Sequence, residues 1–333
     1  MREERNQVST DYTLGDILPE EYFQASFTHE AMWTRFQLIA VLRKDSGAAS
    51  QLGLVAQEAF GAIDRLEAKI STWRINSQIS RVNYEGATNP VGVAADVFGM
   101  VRKSVEIYHE TGGAFDVTVG PLLELWRKCR DENRLPSDAE IEAARARMGS
   151  DKLALDRELN TLAFTQPHMR IELNAIAKGL ALDEAARILQ DYGISSAFLD
   201  GGGSSYLAVG APPGTPGWKV RVKHPYNENW IEQFVLRDES LSASGHVLDA
   251  FEFAGKRYGH IINPSTGMPV EGMVMAMALA PTAMETDALS TAFFVLGEPG
   301  VREYCRKHPE VRAVLVPESE TQELVPVRIN FEN

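Results

Sequence analysis

The chain is 333 residues long, 44% hydrophobic and 24% charged, the profile of a folded protein with a sizeable core. Lys and Arg number 33 against 46 Asp and Glu, and the net charge of −13 excludes a basic nucleic-acid groove. Phosphate binding stays open to backbone amides, a few local cations or a metal. Two cysteines, Cys129 and Cys305, are too few for a disulfide framework and too far apart for a zinc pair, so they read as buried or half-buried thiols.

The opening "MREERNQVSTDYTLGDILPEEYF" has no apolar h-region, cleavage site or lipidation cysteine. No run reaches the apolar length of a membrane span. The expectation is a cytoplasmic protein with a polar extension over 1–28 and one domain over 29–333. "RFQLIAVLRK" (35–44) alternates like a strand, and 48–71 carries apolar residues at helical spacing. A second helix over 90–113 closes on a Gly pair that fits a C-cap. "GGAFDVTVGPLLELW" predicts a short strand, a turn and a helix, and 137–148 a surface helix with a Ser cap. Strands follow near 152–156 and 161–165, and then "IELNAIAKGLALDEAARILQDYG", a strand entering a helix. The last third mixes short strands ("WKVRVKH", "FEFAGKRYGHII", "VMAMALA") with a helix from 287 and another near 299–307. Without a regular βαβ period, the fold class is α+β.

Four stretches carry possible chemistry. "LDGGGSSYLAVG" (199–210) joins two strands through glycines that let a backbone approach a ligand, but it lacks the G-x-G-x-x-G helix opening of a dinucleotide fold. "NAIAKGLALDEAARIL" (174–189) puts small residues, Lys178 and Gly179 at a helix start, where N–H groups suit an anion. His260 stands before the "NPSTG" turn, as a hydrogen-bonded structural histidine or a functional one. In "TDALSTAFFVLG" (286–297), Asp287 and Thr291 lie one helical turn apart; the stretch alone favours a helix cap by Thr286 and Asp287 over an oxygen-ligand pair of Asp287 and Thr291.

Taken together, "GAFDVTVGPL", "AIAKG" and "DALSTA", in that order, resemble the ApbE family of FAD:protein FMN transferases, over roughly residues 29–325. The resemblance implies a T-fold-related α+β architecture, two closely joined halves with the FAD cleft between them. It implies a Mg²⁺-dependent reaction in which FAD is cleaved, FMN is esterified to a threonine of an acceptor protein, and AMP leaves. The implied metal ligands are the Asp287 carboxylate, the Thr291 hydroxyl and the main-chain carbonyl of Ala175. Met32, Ala114, Phe115 and Asp116 would lie along FAD, with Lys178, Gly202 and Gly203 near its phosphates or flavin. Trp73 reads as a stacking ring or a core aromatic, and His260 as the base. A histidine titrates near pH ~6.5, which suits that task.

Several positions depart from the family pattern. Trp33 replaces a glycine, where its ring is expected to crowd the flavin; Asn174 replaces a small residue; His246 stands where an acid is common; Glu285 adds charge before the metal helix. Two alternatives follow: a Mg²⁺-dependent FAD pyrophosphatase at the same site, and a flavin-binding protein without catalysis.

Overall fold

A computed structural model describes residues 8–9, 18–227, 229–245, 250–319 and 323–331. In chain order, β1 (Val8–Ser9) precedes the hairpin β2 (Tyr22–Ala31) and β3 (Thr34–Arg43), which leads into α1 (Leu52–Ile70) and α2 (Gln78–Glu85). Next come β4 (Val91–Gly92), α3 (Ala95–Glu110), α4 (Gly120–Asp131), α5 (Asp138–Arg145), β5 (Leu153–Asp156), β6 (Thr161–Phe164) and α6 (Ala177–Asp191). Then follow β7 (Ala197–Gly201), β8 (Ser205–Val209), β9 (Trp218–Lys223), β10 (Trp230–Leu236), β11 (Glu239–Gly245), β12 (Ala250–Phe253) and β13 (Lys256–Gly259). The chain ends with β14 (Met273–Ala280), α7 (Ala283–Lys307), β15 (Arg312–Pro317) and β16 (Val327–Ile329).

Eight strands pair antiparallel in the order β16-β15-β14-β11-β8-β7-β3-β2. Period-two alternation explains how this sheet is buried on both faces. In β3, Leu38, Ala40 and Leu42 turn toward a core shared with α1, α6 and α7, while Ile39 and Val41 turn toward Trp218, Val220 and Phe234 of the β9–β10 pair. Each large side chain so buried contributes about 1.5–3 kcal/mol. In β14, Ala276, Ala278 and Ala280 take the helix side and Met275, Met277 and Leu279 the other. Small residues there let α7 lie close to the sheet. A smaller cluster, with Trp126, Ile141 and Ile262, packs α4 and α5 against the segment after β13.

The α+β expectation holds, with local corrections. The β2 strand begins at Tyr22 and pairs with β3 residue for residue, so the sheet starts inside the stretch read as an extension. Residues 112–119 form turns, not a strand, and 171–173 form no strand before α6. The α2 helix, missed in the sequence, is capped by Ser77 Oγ accepting from the Ser80 N–H at 2.9 Å. The predicted Ser cap of α5 is present as a full capping box with Glu140. The α7 helix begins at Ala283, ahead of the expected 287, and breaks at Gly297 (φ 64°) before continuing through the second predicted helix.

Two contacts explain where α7 starts. The Asp183 carboxylate of α6 accepts from the N–H groups of Ala283 and Met284, both at 2.8 Å, and so caps the helix from another element. Thr286 is therefore not the cap; its hydroxyl is enclosed by Ser240, Ser242 and the Ala283 carbonyl. Gly179 permits the close crossing of α6 and α7, since a Cβ there would lie 2.1 Å from the Ala283 carbonyl oxygen.

Candidate active site

A cavity of about 570 Å³ opens between the α6–α7 side of the sheet and the α4–α5 cluster. Its walls bring together Ala114, Phe115, Asp116, Ala175, Lys178, Gly202, Gly203, His260, Asp287 and Thr291. Met32 and Trp73 are not among them.

Asp287 is buried on α7. Its Oδ1 accepts from Ser205 Oγ at 2.9 Å and lies 3.5 Å from Lys178 Nζ, and its Oδ2 accepts from the Gly179 N–H at 3.1 Å. The helix start read as an anion site thus spends one N–H on a carboxylate of the chain itself. Thr291 follows one turn later, its Oγ1 3.1 Å from Ser244 Oγ. Ala175 lies in the turn that leads into α6, with Asn174 beside it on the cavity wall.

The donor types test the fit of a metal. Among the described residues, no three His, Cys, Asp or Glu side chains gather for a cation. A carboxylate, a hydroxyl and a main-chain carbonyl on one wall are hard oxygens. Such a set suits Mg²⁺, which binds through one or two carboxylates, waters and substrate phosphates.

The "GAFD" loop is held by its own aspartate. Asp116 Oδ1 accepts from the Thr118 N–H at 2.8 Å, Thr118 Oγ1 at 2.6 Å and Ser150 Oγ at 2.7 Å. Burial raises its pKa, and these donors oppose the shift. This side-chain bonding diverts the backbone from the expected strand. In the glycine loop, Gly202 and Gly203 take φ of 75° and 70°. A Cβ on Gly202 would meet Thr34 Oγ1 at 2.1 Å.

His260 is exposed on the cavity wall just after β13. Its segment is fastened to the α4–α5 cluster: Trp126 Nε1 donates to the Gly267 carbonyl at 2.8 Å, and Arg145 Nε to the Pro264 carbonyl at 3.2 Å.

Trp73 is 74% exposed, so the core reading fails. Its ring centroid lies 6.0 Å from the Arg127 guanidinium carbon, and Arg127 reaches the cavity wall. Met32 and Trp33 form the β2–β3 turn with φ of 50° and 61°. Such a two-residue turn needs positive φ at both positions, a conformation that glycine adopts most readily. Trp33 is 87% exposed and lines no part of the cavity, so its expected crowding of the site does not occur. Glu285 pairs with Lys103 at 3.1 Å, away from the cavity wall. His246 lies outside the described residues.

Sequence reasoning missed Glu172 and Ser244 on the wall. Glu172 Oε1 accepts from Arg170 Nε at 3.3 Å, and burial raises its pKa against the pull of that guanidinium. The available signal was a lone acid inside the apolar "IELNAIA".

Asp200, buried beneath the glycine loop, accepts from the Gly203 N–H at 2.7 Å. Burial pushes its pKa up to about 6. An aspartate raised above its unfolded pKa near ~3.9 binds its proton more tightly in the fold, so its ionisation destabilises the protein as pH rises toward and through 6. Asp200→Asn keeps an acceptor for Gly203 and removes that cost. We expect a gain of roughly 1–3 kcal/mol at pH 7 that shrinks toward pH 4, read from urea unfolding at both pH values.

The ApbE family model matches residues 32–315. A FAD:protein FMN transferase of Klebsiella pneumoniae (strain 342) is 31% identical over 292 residues, which cover 86% of this chain and 82% of that protein. One from Vibrio cholerae is 33% identical over 242 residues, 71% of each chain. Among solved structures, the ApbE protein of Thermotoga maritima superposes with a TM-score of 0.81 at 26% identity, covering 92% of this chain and 97% of the other. The apo form of the Pseudomonas stutzeri flavinyl transferase ApbE gives 0.80 at 25% identity, covering 92% and 95%.

Proposed function

The chain belongs to the ApbE family, and from that premise we propose that it is a Mg²⁺-dependent FAD:protein FMN transferase. FAD is cleaved at its pyrophosphate, FMN is esterified to a threonine of an acceptor protein, and AMP leaves. The observation that carries this reading is the convergence of Asp287, Thr291, Lys178 and His260 on one cavity with a glycine loop.

The acceptor threonine oxygen bonds to the FMN phosphorus as the bond from that phosphorus to the bridging oxygen breaks. The bridging oxygen departs with AMP, and the threonine proton passes to His260 acting as base. Lys178 sets a positive charge beside the phosphates. The Ala114–Asp116 loop and Gly202–Gly203 supply backbone that approaches the ligand closely. Met32 and Trp73, which lie off the cavity wall, are assigned to any part of FAD that extends past it. Asp287, Thr291 and the Ala175 carbonyl would hold Mg²⁺, which supplies Lewis-acid neutralisation of pyrophosphate charge.

The test is AMP release from FAD with Mg²⁺, with and without a threonine-containing acceptor peptide. AMP release that depends on the peptide, together with a fluorescent flavin–peptide, is the expected result. AMP without labelling supports the pyrophosphatase instead, and bound flavin without AMP supports a binder. A His260→Ala variant is expected to lose about 10²–10⁴-fold in transfer while retaining flavin.

A further inference from the structure

We infer that Ser244 is a positioning residue that fixes the proton of the Thr291 hydroxyl, leaving both lone pairs of that oxygen for a cation. The inference rests on the proposed role of Thr291 as a metal ligand.

Three contacts determine the arrangement. Ser290 Oγ lies 2.9 Å from the main-chain carbonyl oxygen of Asp287. Ser244 Oγ lies 2.8 Å from Ser290 Oγ and 3.1 Å from Thr291 Oγ1. A hydroxyl has one proton to donate, and a carbonyl has none. Ser290 must therefore donate to Asp287 and accept from Ser244. Ser244, having given its proton to Ser290, offers only lone pairs to Thr291. Thr291 is left as the donor in that contact, with its proton turned onto Ser244.

Helix chemistry shows why such a device is needed. A threonine in a helix ordinarily donates to the carbonyl three or four residues back. For Thr291 the carbonyl four back belongs to Asp287, and Ser290 occupies it. Without Ser244, the Thr291 proton would be shared between the Ala288 carbonyl three residues back and the place where a cation must sit. The same strand supplies an internal comparison: Ser242 bonds to Thr286 at 2.9 Å and to neither Ser290 nor Thr291.

The experiment is a titration of the purified full-length protein with Mn²⁺, following free Mn²⁺ by electron paramagnetic resonance, with a thermal melt of each variant. Ser244→Ala is expected to weaken Mn²⁺ binding about tenfold, the scale of losing a group that orients a ligand. Ser244→Thr, which keeps the hydroxyl, should restore most of the affinity. Ser242→Ala should leave the Kd unchanged even where it lowers the melting temperature. In a Thr291→Val background, Ser244→Ala should cost nothing further, because the hydroxyl it orients is gone. An unchanged Kd in Ser244→Ala, or the same loss in the Thr291→Val background, overturns the positioning role. If wild type and Asp287→Ala bind Mn²⁺ equally, the metal site itself fails, and the assignment of Ser244 falls with it.

Discussion

Asp287→Ala is expected to reduce flavin transfer by about 10²–10³-fold, the range found when a preorganised charge-stabilising group is removed from an active site. Asp287 is a buried carboxylate on the cavity wall, and three groups converge on it: Ser205 Oγ, the Gly179 N–H and the Lys178 ammonium. Truncation removes the anion that would hold Mg²⁺, and it also leaves Lys178 without its counter-charge. The loss should appear in kcat/KM for AMP release and resist added Mg²⁺. Asp287→Asn separates charge from shape, since the amide oxygen still accepts from Ser205 or Gly179. Activity in Asp287→Asn close to wild type would show that charge at this position is not what the site uses.

The second large effect is structural. Gly179→Ala is expected to destabilise the fold by about 3 kcal/mol or more, measured by urea unfolding. The added Cβ would meet the Ala283 carbonyl oxygen at 2.1 Å and the Met284 Cα at 2.6 Å, all backbone of the facing helix. No rotamer change relieves such contacts, so α6 and α7 must part. Their separation would stretch the Gly179 N–H bond to Asp287 and the two Asp183 bonds that start α7. Activity should therefore fall together with stability. Gly61→Ala serves as a control, because its added carbon meets only the end of the Arg65 side chain, at 3.1 Å.

Much of the site was legible because its parts are contiguous in sequence. "GAFD", "AIAKG" and "DALST" each bring their residues to the same cavity. The strand character of β3 was written in its alternation, and the cap of α5 in Ser137 and Glu140. What escaped notice depends on partners distant in sequence. Asp183 caps α7 across 100 residues, so the helix begins before the Thr–Asp pair that had suggested its start. Asp116 binds the Thr118 N–H and so prevents the strand that its apolar neighbours suggested. Trp73 read equally as a stacking ring or a core aromatic, and the segment after α1 leaves it in solvent with Arg127 over its ring, so only the core reading fails. Ser244 had no signal at all, since a serine in a strand acquires meaning only from the helix above it.

The two sides of β14 face different tolerances. Met275, Met277 and Leu279 meet the large, deformable side chains of the β9–β10 layer, where one apolar shape can replace another. Ala276, Ala278 and Ala280 lie beneath α7, in register with Ser244, Ser242 and Ser240 of the neighbouring strand. The three alanines set the height of the helix that carries Asp287 and Thr291. Within this one strand, sequence drift can accumulate on one side while the other stays confined to the smallest residues, and a methyl group added there would reach the chemistry as a displacement.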